Sequence, residues 1–265
     1  MNIVVCVKAV PDPKQISKIR IDPATKTLTR SDAPLVMNLL DRHALEAALE
    51  LKEACGGSVS VISMGPPAAG SVVKECMALG ADRGILMSDR AFGGADAFAT
   101  AFTLSRGIEK AGPFDLVICG MASSDGATEW VGPQVAVFLN IPAVTMVRKI
   151  ENRQSSEWIV IADWQNGYRR VQVRLPALFT VTRELNRPKA LSFSGIIKAR
   201  KKVIEQWGLD AIEASEEMVG ARGSPTIVSE ISPVEKRRNV EMLSGNAEEK
   251  ADKLVSRLAE AGIIQ

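Results

Sequence analysis

Leu116-Val117-Ile118-Cys119-Gly120-Met121-Ala122-Ser123-Ser124-Asp125-Gly126-Ala127-Thr128-Glu129-Trp130-Val131-Gly132-Pro133-Gln134 sets the architecture of this chain. Its opening residues are apolar without alternation, the pattern of a strand covered on both faces. Small residues follow, and the segment then opens a helix. A buried strand that turns through a small-residue loop into a helix is half of a parallel βαβ unit.

The same alternation recurs through the first half of the chain. Apolar runs at residues 3–7, 59–64 and 84–87 read as further buried strands. Between them, residues 41–55 place Leu45, Ala48, Leu51 and Lys52 at helical spacings with Glu46, Glu50 and Glu53 on other faces, and residues 68–79 and 95–110 behave alike. These units predict an α/β fold: a doubly wound, mostly parallel sheet, Rossmann-like and suited to nucleotide binding, with ligands at the carboxyl ends of its strands. Ile19-Arg20-Ile21-Asp22 and Thr27-Leu28-Thr29-Arg30 flank Pro23-Ala24-Thr25-Lys26, which predicts a hairpin. After about Val144, strand-like runs at 158–162, 168–173 and 178–182 predict an antiparallel extension. Gly, Pro, Ser and charges dominate residues 220–241, and residues 247–261 resume a helical pattern with Leu254, Leu258 and Ile263 on or near one stripe. The expected division is an α/β nucleotide-binding domain over residues 1–220 and, over 221–265, a linker with a C-terminal helical arm that packs on a partner.

Composition narrows the function classes. With 265 residues and 46% hydrophobic content the chain can bury one sizeable core. Lys and Arg total 33 against 31 Asp and Glu, so no global field favours nucleic acid or anionic lipid. Cys6, Cys55, Cys76 and Cys119 are scattered without a C-x-x-C pair, and His43 is the only histidine, which points away from a metal site and toward a reduced, cytoplasmic setting. The start of the chain lacks the basic leader of a secretory signal, and no apolar window approaches the roughly 18–20 residues that span a bilayer, so a soluble protein without membrane insertion is expected.

The loop at 120–134 is the most informative candidate for binding. Small residues let backbone N–H groups approach an anion, and a helix N-terminus adds partial positive charge. It matches neither G-x-x-x-x-G-K-[ST] nor G-x-G-x-x-G, so a phosphate cradle and an ordinary strand-to-helix connection both stand as readings. Two other strand ends belong on the same edge: Cys6-Val7-Lys8-Ala9-Val10-Pro11-Asp12 and Ser63-Met64-Gly65-Pro66-Pro67. Lys8 reads equally as a solvated lysine or a phosphate ligand, and Met64 as core or cofactor wall. Asn38 and Asp41 read most simply as a helix cap. His43 has no visible nucleophile partner. The basic run Lys198-Ala199-Arg200-Lys201-Lys202 reads as a solvated helix face, or as a surface for an acidic partner or for phosphates. No catalytic acid or base emerges.

Val7-Lys8 with Val10-Pro11-Asp12, Ser63-Met64-Gly65-Pro66, Met77-Ala78-Leu79-Gly80-Ala81-Asp82-Arg83-Gly84, and Leu185-Asn186-Arg187-Pro188 with Gly195-Ile196-Ile197-Lys198-Ala199-Arg200-Lys201-Lys202 resemble, in order and over nearly the whole chain, the electron-transfer flavoprotein beta subunit. The resemblance implies a heterodimer. In it the alpha subunit contributes most of the redox FAD site, while beta holds AMP in simple carriers or a second FAD in electron-bifurcating members. Carried over by position, the beta pocket comprises Cys6, Val7, Lys8 and Ala9; Asn38, Leu39, Leu40 and Asp41; Met64 and Gly65; and residues 120–131 as quoted above. The family's partner-recognition loop corresponds to the stretch after Pro188, where Leu191 and Phe193 would offer an apolar anchor to an acyl-CoA dehydrogenase or a similar redox enzyme. Asp89-Arg90-Ala91-Phe92-Gly93-Gly94-Ala95-Asp96 and Val131-Gly132-Pro133-Gln134 resemble the bifurcating branch, whose second FAD accepts hydride from NADH. The chain departs from the family at Met121-Ala122, usually a basic residue then Gln, and at Trp130, usually Gln. FAD and AMP both stay open.

The expected function is electron transfer by a flavoprotein heterodimer, with this chain supplying nucleotide binding, alpha-subunit contacts and partner docking. Two rivals are a stand-alone adenine-nucleotide enzyme, which would need a phosphate-directed Lys, His or metal cluster, and a structural subunit with a degenerate pocket.

Overall fold

The computed structural model describes residues 1–18, 20–22, 27–29, 34–154, 157–229 and 240–264. They fall into two compact units, Met1–Ser229 and Glu230–Gln265. The first unit runs β1 (Asn2–Cys6), β2 (Ala9–Pro11), β3 (Arg20–Asp22), β4 (Thr27–Thr29), β5 (Leu35–Met37), α1 (Leu39–Cys55), β6 (Ser58–Met64), α2 (Gly70–Leu79), β7 (Arg83–Met87), α3 (Ala97–Ala111), β8 (Leu116–Gly120), α4 (Val131–Phe138), β9 (Ala143–Gln154), β10 (Glu157–Trp164), β11 (Gly167–Arg174), β12 (Ala177–Val181), α5 (Phe193–Arg200) and β13 (Ile204–Trp207).

The central sheet has nine strands in the order β11-β10-β9-β12-β8-β1-β6-β7-β13. From β9 through β12 to β13 all neighbours are parallel, while β10 and β11 pair antiparallel at one end. The unalternating runs follow from burial on both faces. Within β1, Ile3 and Val5 enter one core with Leu45, Leu51, Val61 and Val73, while Val4 and Cys6 enter the other with Ile62, Ile85, Ile108 and Val135. Helices α1 and α2 cover the first face; α3 and α4 cover the second. Phe138 of α4 meets Phe98 and Phe102 of α3 edge-on at 5.2 and 5.5 Å, in the T-shaped geometry that aromatic quadrupoles favour. From β1 the chain winds outward through β6 and β7, then returns beyond β1 with β8, so the winding reverses between β1 and β8.

Several elements differ from the expectation. β9 escapes a reading by alternation because Met146 takes a positive φ of 58° and the pairing with β10 and β12 carries register shifts. β13 is a short edge strand. β2 and β5 pair as a small ribbon immediately beyond β1. β3 and β4 pair antiparallel, Arg20 with Thr29 and Asp22 with Thr27, where a hairpin was expected, and residues 23–26 lie outside the described residues. Glu46, although off the apolar face of its helix, is buried. The basic run does not lie on one helix face: α5 ends at Arg200, and Lys202 Nζ donates to the Ala81 carbonyl at 2.6 Å. Residues 220–229 are held on the start of α3, where Thr226 donates N–H and Oγ1–H to the Asp96 carboxylate.

In the second unit, α6 (Ala247–Glu260) begins with a capping box, Asn246 and Glu249 each accepting the other's backbone N–H. Arg257 pairs with Glu241 and Glu260. Leu254, Val255 and Ile263 are exposed.

Phe179 on β12 is fully buried and tilts against Trp158 of β10 with ring centroids 6.2 Å apart, joining the parallel sheet to its antiparallel extension. Phe179→Ala is expected to cost about 3–5 kcal/mol in chemical denaturation. A loss below about 1 kcal/mol would show that the site repacks freely.

Candidate functional site

The carboxyl ends of β1, β6 and β8 meet on one edge, with Cys6 in register with Cys119 on one side and with Ile62 on the other. The loops leaving them bracket the point where the winding reverses. Side chains from the start of α1 tie these loops together. Asn38 N donates to the Lys8 carbonyl at 3.0 Å, and Lys8 N donates to Asp41 Oδ2 at 2.8 Å. The other Asp41 oxygen accepts Gly120 N at 2.9 Å. The Asn38 amide donates to the Ala122 carbonyl at 2.8 Å and accepts Ser124 N at 3.2 Å. The cap reading is thereby corrected: Asn38 occupies the N-cap position, but its side chain makes no capping bond and is committed to a loop 84 residues away.

Lys8 Nζ reaches over the loop to Asp125 Oδ1 at 2.6 Å and Ser123 Oγ at 3.3 Å. Asp125 is nearly buried, with its side chain 7% exposed, whereas that of Lys8 is 42% exposed and open to a further partner. Ala127 and Glu129 take left-handed φ values of 47° and 61°, which curl the loop before Trp130. Trp130 gives α4 no side-chain cap, Pro133 has no N–H and Gln134 N donates to the Trp130 carbonyl, so the N–H groups left for a ligand at this helix start are those of Val131 and Gly132. A cation, curled small-residue backbone and an uncapped helix start together match a phosphate or pyrophosphate group. The remaining candidates divide. Val7 and Ala9 bury their side chains in the first core, leaving only backbone to a ligand. Met64 and Val131 pack on the second core. Leu39 and Trp130 are exposed, at 62% and 65%.

The glycines serve different ends. A Cβ on Gly120 would stand 2.6 Å from Asp41 Oδ1, and one on Gly132 would stand 2.6 Å from Thr180 Cγ2, so these two permit close packing. A Cβ on Gly126 would meet only Ser123 Oγ at 3.4 Å and Lys8 Nζ at 3.8 Å, so the open side of the loop lies there.

Burial raises the Asp41 carboxyl to about 6, against the lowering hydrogen bonds from Lys8 N, Gly120 N and Asn38 and the Lys8 charge. Burial, with the Asp41 charge second, pushes the Cys6 thiol to about 12; Cys119 is raised by burial, then Cys6, then Asp41. These thiols stay protonated and are poor nucleophiles. Among the described residues no group of His, Cys, Asp or Glu is placed to hold a metal, and no helix is long and apolar enough to cross a membrane.

Leu191 and Phe193 belong to another surface. Phe193 opens α5, which packs on α2, and is 78% exposed; Leu191 is 38% exposed. What the sequence reading missed is the seat of the segment before them. His43 Nδ1 pairs with Asn186 Oδ1 at 2.9 Å while Asn186 Nδ2 donates to the His43 carbonyl at 2.9 Å, and Lys189 N donates to Glu46 Oε2 at 2.9 Å. The signal was the polar stripe His43, Glu46, Glu50, Glu53, spaced by three and four. Asp89 and Asp96 each gather several backbone N–H donors. Backbone N–H donors from Leu209 and Ala91 hold Asp89 below the usual carboxylate range; for Asp96, burial pulls upward but the bonds from Ala99, Thr226 and Phe98 outweigh it.

The Electron transfer flavoprotein domain family matches residues 25–212. The chain is 43% identical over 265 residues to the electron transfer flavoprotein subunit beta of Thermoanaerobacterium thermosaccharolyticum, with all of both chains covered. The chain belongs to the electron transfer flavoprotein family, as a beta subunit. The same named subunit from Clostridium acetobutylicum is 43% identical over 264 residues, and the caffeyl-CoA reductase-Etf complex subunit CarD of Acetobacterium woodii 42% over 268, each with both chains wholly covered. As an electron transfer flavoprotein beta subunit, the chain works with an alpha subunit, a redox partner and a flavin-type cofactor.

Gly120→Ala is expected to cost about 1–3 kcal/mol, because backbone and a buried carboxylate must move to admit the methyl group. Gly126→Ala should stay within about 0.5 kcal/mol of wild type. Equal melting curves for the two variants would contradict this assignment of roles.

Proposed function

We propose that this beta subunit holds an adenine-containing nucleotide, FAD or AMP, in the 120–131 loop and helps pass electrons from a donor such as NADH to an acyl-CoA dehydrogenase-type partner. The reading is carried by one observation: Lys8, the curled loop and the uncapped start of α4 converge where the sheet's winding reverses. When bound, a flavin supplies the redox chemistry. The chain's own residues do the rest. Lys8 offers positive charge, backbone N–H groups of the loop orient the phosphate portion, and Asn38 and Asp41 keep the loops in place. No proton transfer is asked of any side chain. The name of the Acetobacterium relative supports an acyl-CoA reductase or dehydrogenase as partner, and the Asp89–Asp96 block supports FAD in the pocket. The exposed Leu191 and Phe193 would form the docking anchor, and α6 an arm on the alpha subunit, in a cytoplasmic heterodimer.

The test is to co-purify the chain with its alpha subunit, release bound nucleotides with acid and count FAD against AMP. The expected result is nucleotide beyond the alpha subunit's own share, lost in Gly126→Val while the variant stays folded, since the valine would stand between loop and ligand. Unchanged stoichiometry in the folded variant would sink the cradle. For docking, Phe193→Ala is expected to leave melting temperature and bound nucleotide intact. It should weaken the partner by about 2 kcal/mol, roughly thirtyfold, as seen in electron transfer at subsaturating partner. Unchanged transfer would remove Phe193 from the docking surface.

A further inference from the structure

Asp41 reaches none of the open side of the loop, yet both halves of the site hang from it. Its carboxylate is fully buried, and each oxygen accepts a backbone N–H from a different strand end: Oδ2 from Lys8 after β1, Oδ1 from Gly120 at the end of β8. Lys8 carries the cation, and Gly120 begins the loop. The Lys8 peptide is gripped from both sides, because Asn38 N donates to its carbonyl. Gly120 approaches so closely that no Cβ fits. We infer that Asp41 is a positioning residue: by accepting one N–H from each side of the winding reversal, its carboxylate sets the spacing between Lys8 and the 120–131 loop, and phosphate affinity follows whether both oxygens accept. The inference rests on the nucleotide reading above.

A carboxylate can accept both bonds; a carboxylic acid turns one oxygen into a donor facing an N–H and loses one of them. The groups facing Asp41 are Cys6 from β1, Cys119 from β8, Cys76 from α2 and Lys8. All three thiols are raised and uncharged through the neutral range, so Lys8 is the charged neighbour. Burial places the Asp41 titration at about 6, above its ordinary value of 3.8. The sign follows: a raised folded-state value means that protonation favours the fold, a contribution fully present below about 3.8 and lost as pH rises through about 6. Fold and site therefore respond oppositely to acid. Acid protonates Asp41 without weakening the fold through this residue, but releases one strand end.

The experiment titrates FAD, whose pyrophosphate takes up no proton in this range, into the full-length chain between about pH 7.5 and about pH 5. Wild-type affinity is expected to fall roughly tenfold toward acid, the slope that a single proton allows. Asp41→Asn, which cannot accept both N–H groups, should bind roughly tenfold more weakly at the upper pH, show no such fall, and melt near the wild-type temperature. A flat wild-type profile overturns the inference without any variant, and so does a variant that binds as wild type or keeps the wild-type profile. Affinity lost in proportion to melting temperature would make Asp41 an ordinary core residue and also overturn it. Wild-type chain that binds neither FAD nor AMP at about pH 7.5 overturns the nucleotide reading itself, and the inference with it.

Discussion

One buried carboxylate between two parallel strands sets the terms for the rest of the molecule. Asp41 is buried among Cys6, Cys76 and Cys119, where an unpaired charge would be strongly disfavoured. It is tolerated because Lys8 N and Gly120 N leave their strands where ladder partners end, and each donates to one of its oxygens. The peptide groups need an acceptor and the carboxylate needs donors, so each resolves the other's burial. This exchange fixes where β1 and β8 part, and hence where the open side of the edge lies.

The strands at the centre were legible in the sequence because burial on both faces leaves an apolar run with no competing pattern, as in Leu116 to Cys119. Legibility fell wherever a long-range contact decided the role of a residue. Asn38 and Asp41 stand at a helix start, where a local rule assigns a cap, and nothing local shows that their partners are Lys8, Gly120, Ala122 and Ser124. Glu46 stands off the apolar face of its helix, and only the distant segment at Lys189, whose backbone N–H it accepts, accounts for its burial. β9 was hidden by its left-handed Met146 and by two charged residues, Arg148, which pairs with Asp163 and lies over Tyr168, and Lys149, which lies beside Glu151.

Glycine shows the same limit. The small residues of the loop suggested close approach of an anion, yet Gly120 and Gly132 are small because Asp41 and Thr180 press against them, and of the loop's glycines Gly126 faces the open side. Composition singled out this loop by the approach of an anion, and close packing of the strand ends requires the same small residues.

Helix α1 then links the two surfaces that the sequence treated separately. Its first turn carries Asn38 and Asp41 into the loop cluster, and one polar stripe along its length, His43, Glu46 and Glu53, seats the backbone and side chains of Asn186 and Lys189. The chain runs directly from that seat to Leu191 and Phe193. A helix is stiff over this length, so the candidate cradle and the approach to the exposed apolar pair share one rigid reference. Loops alone would let them drift. Electron transfer depends steeply on the distance between donor and acceptor, and under the proposed function a docking segment fastened to the helix that also fastens the candidate cradle would keep that distance from varying with each loop's own motion.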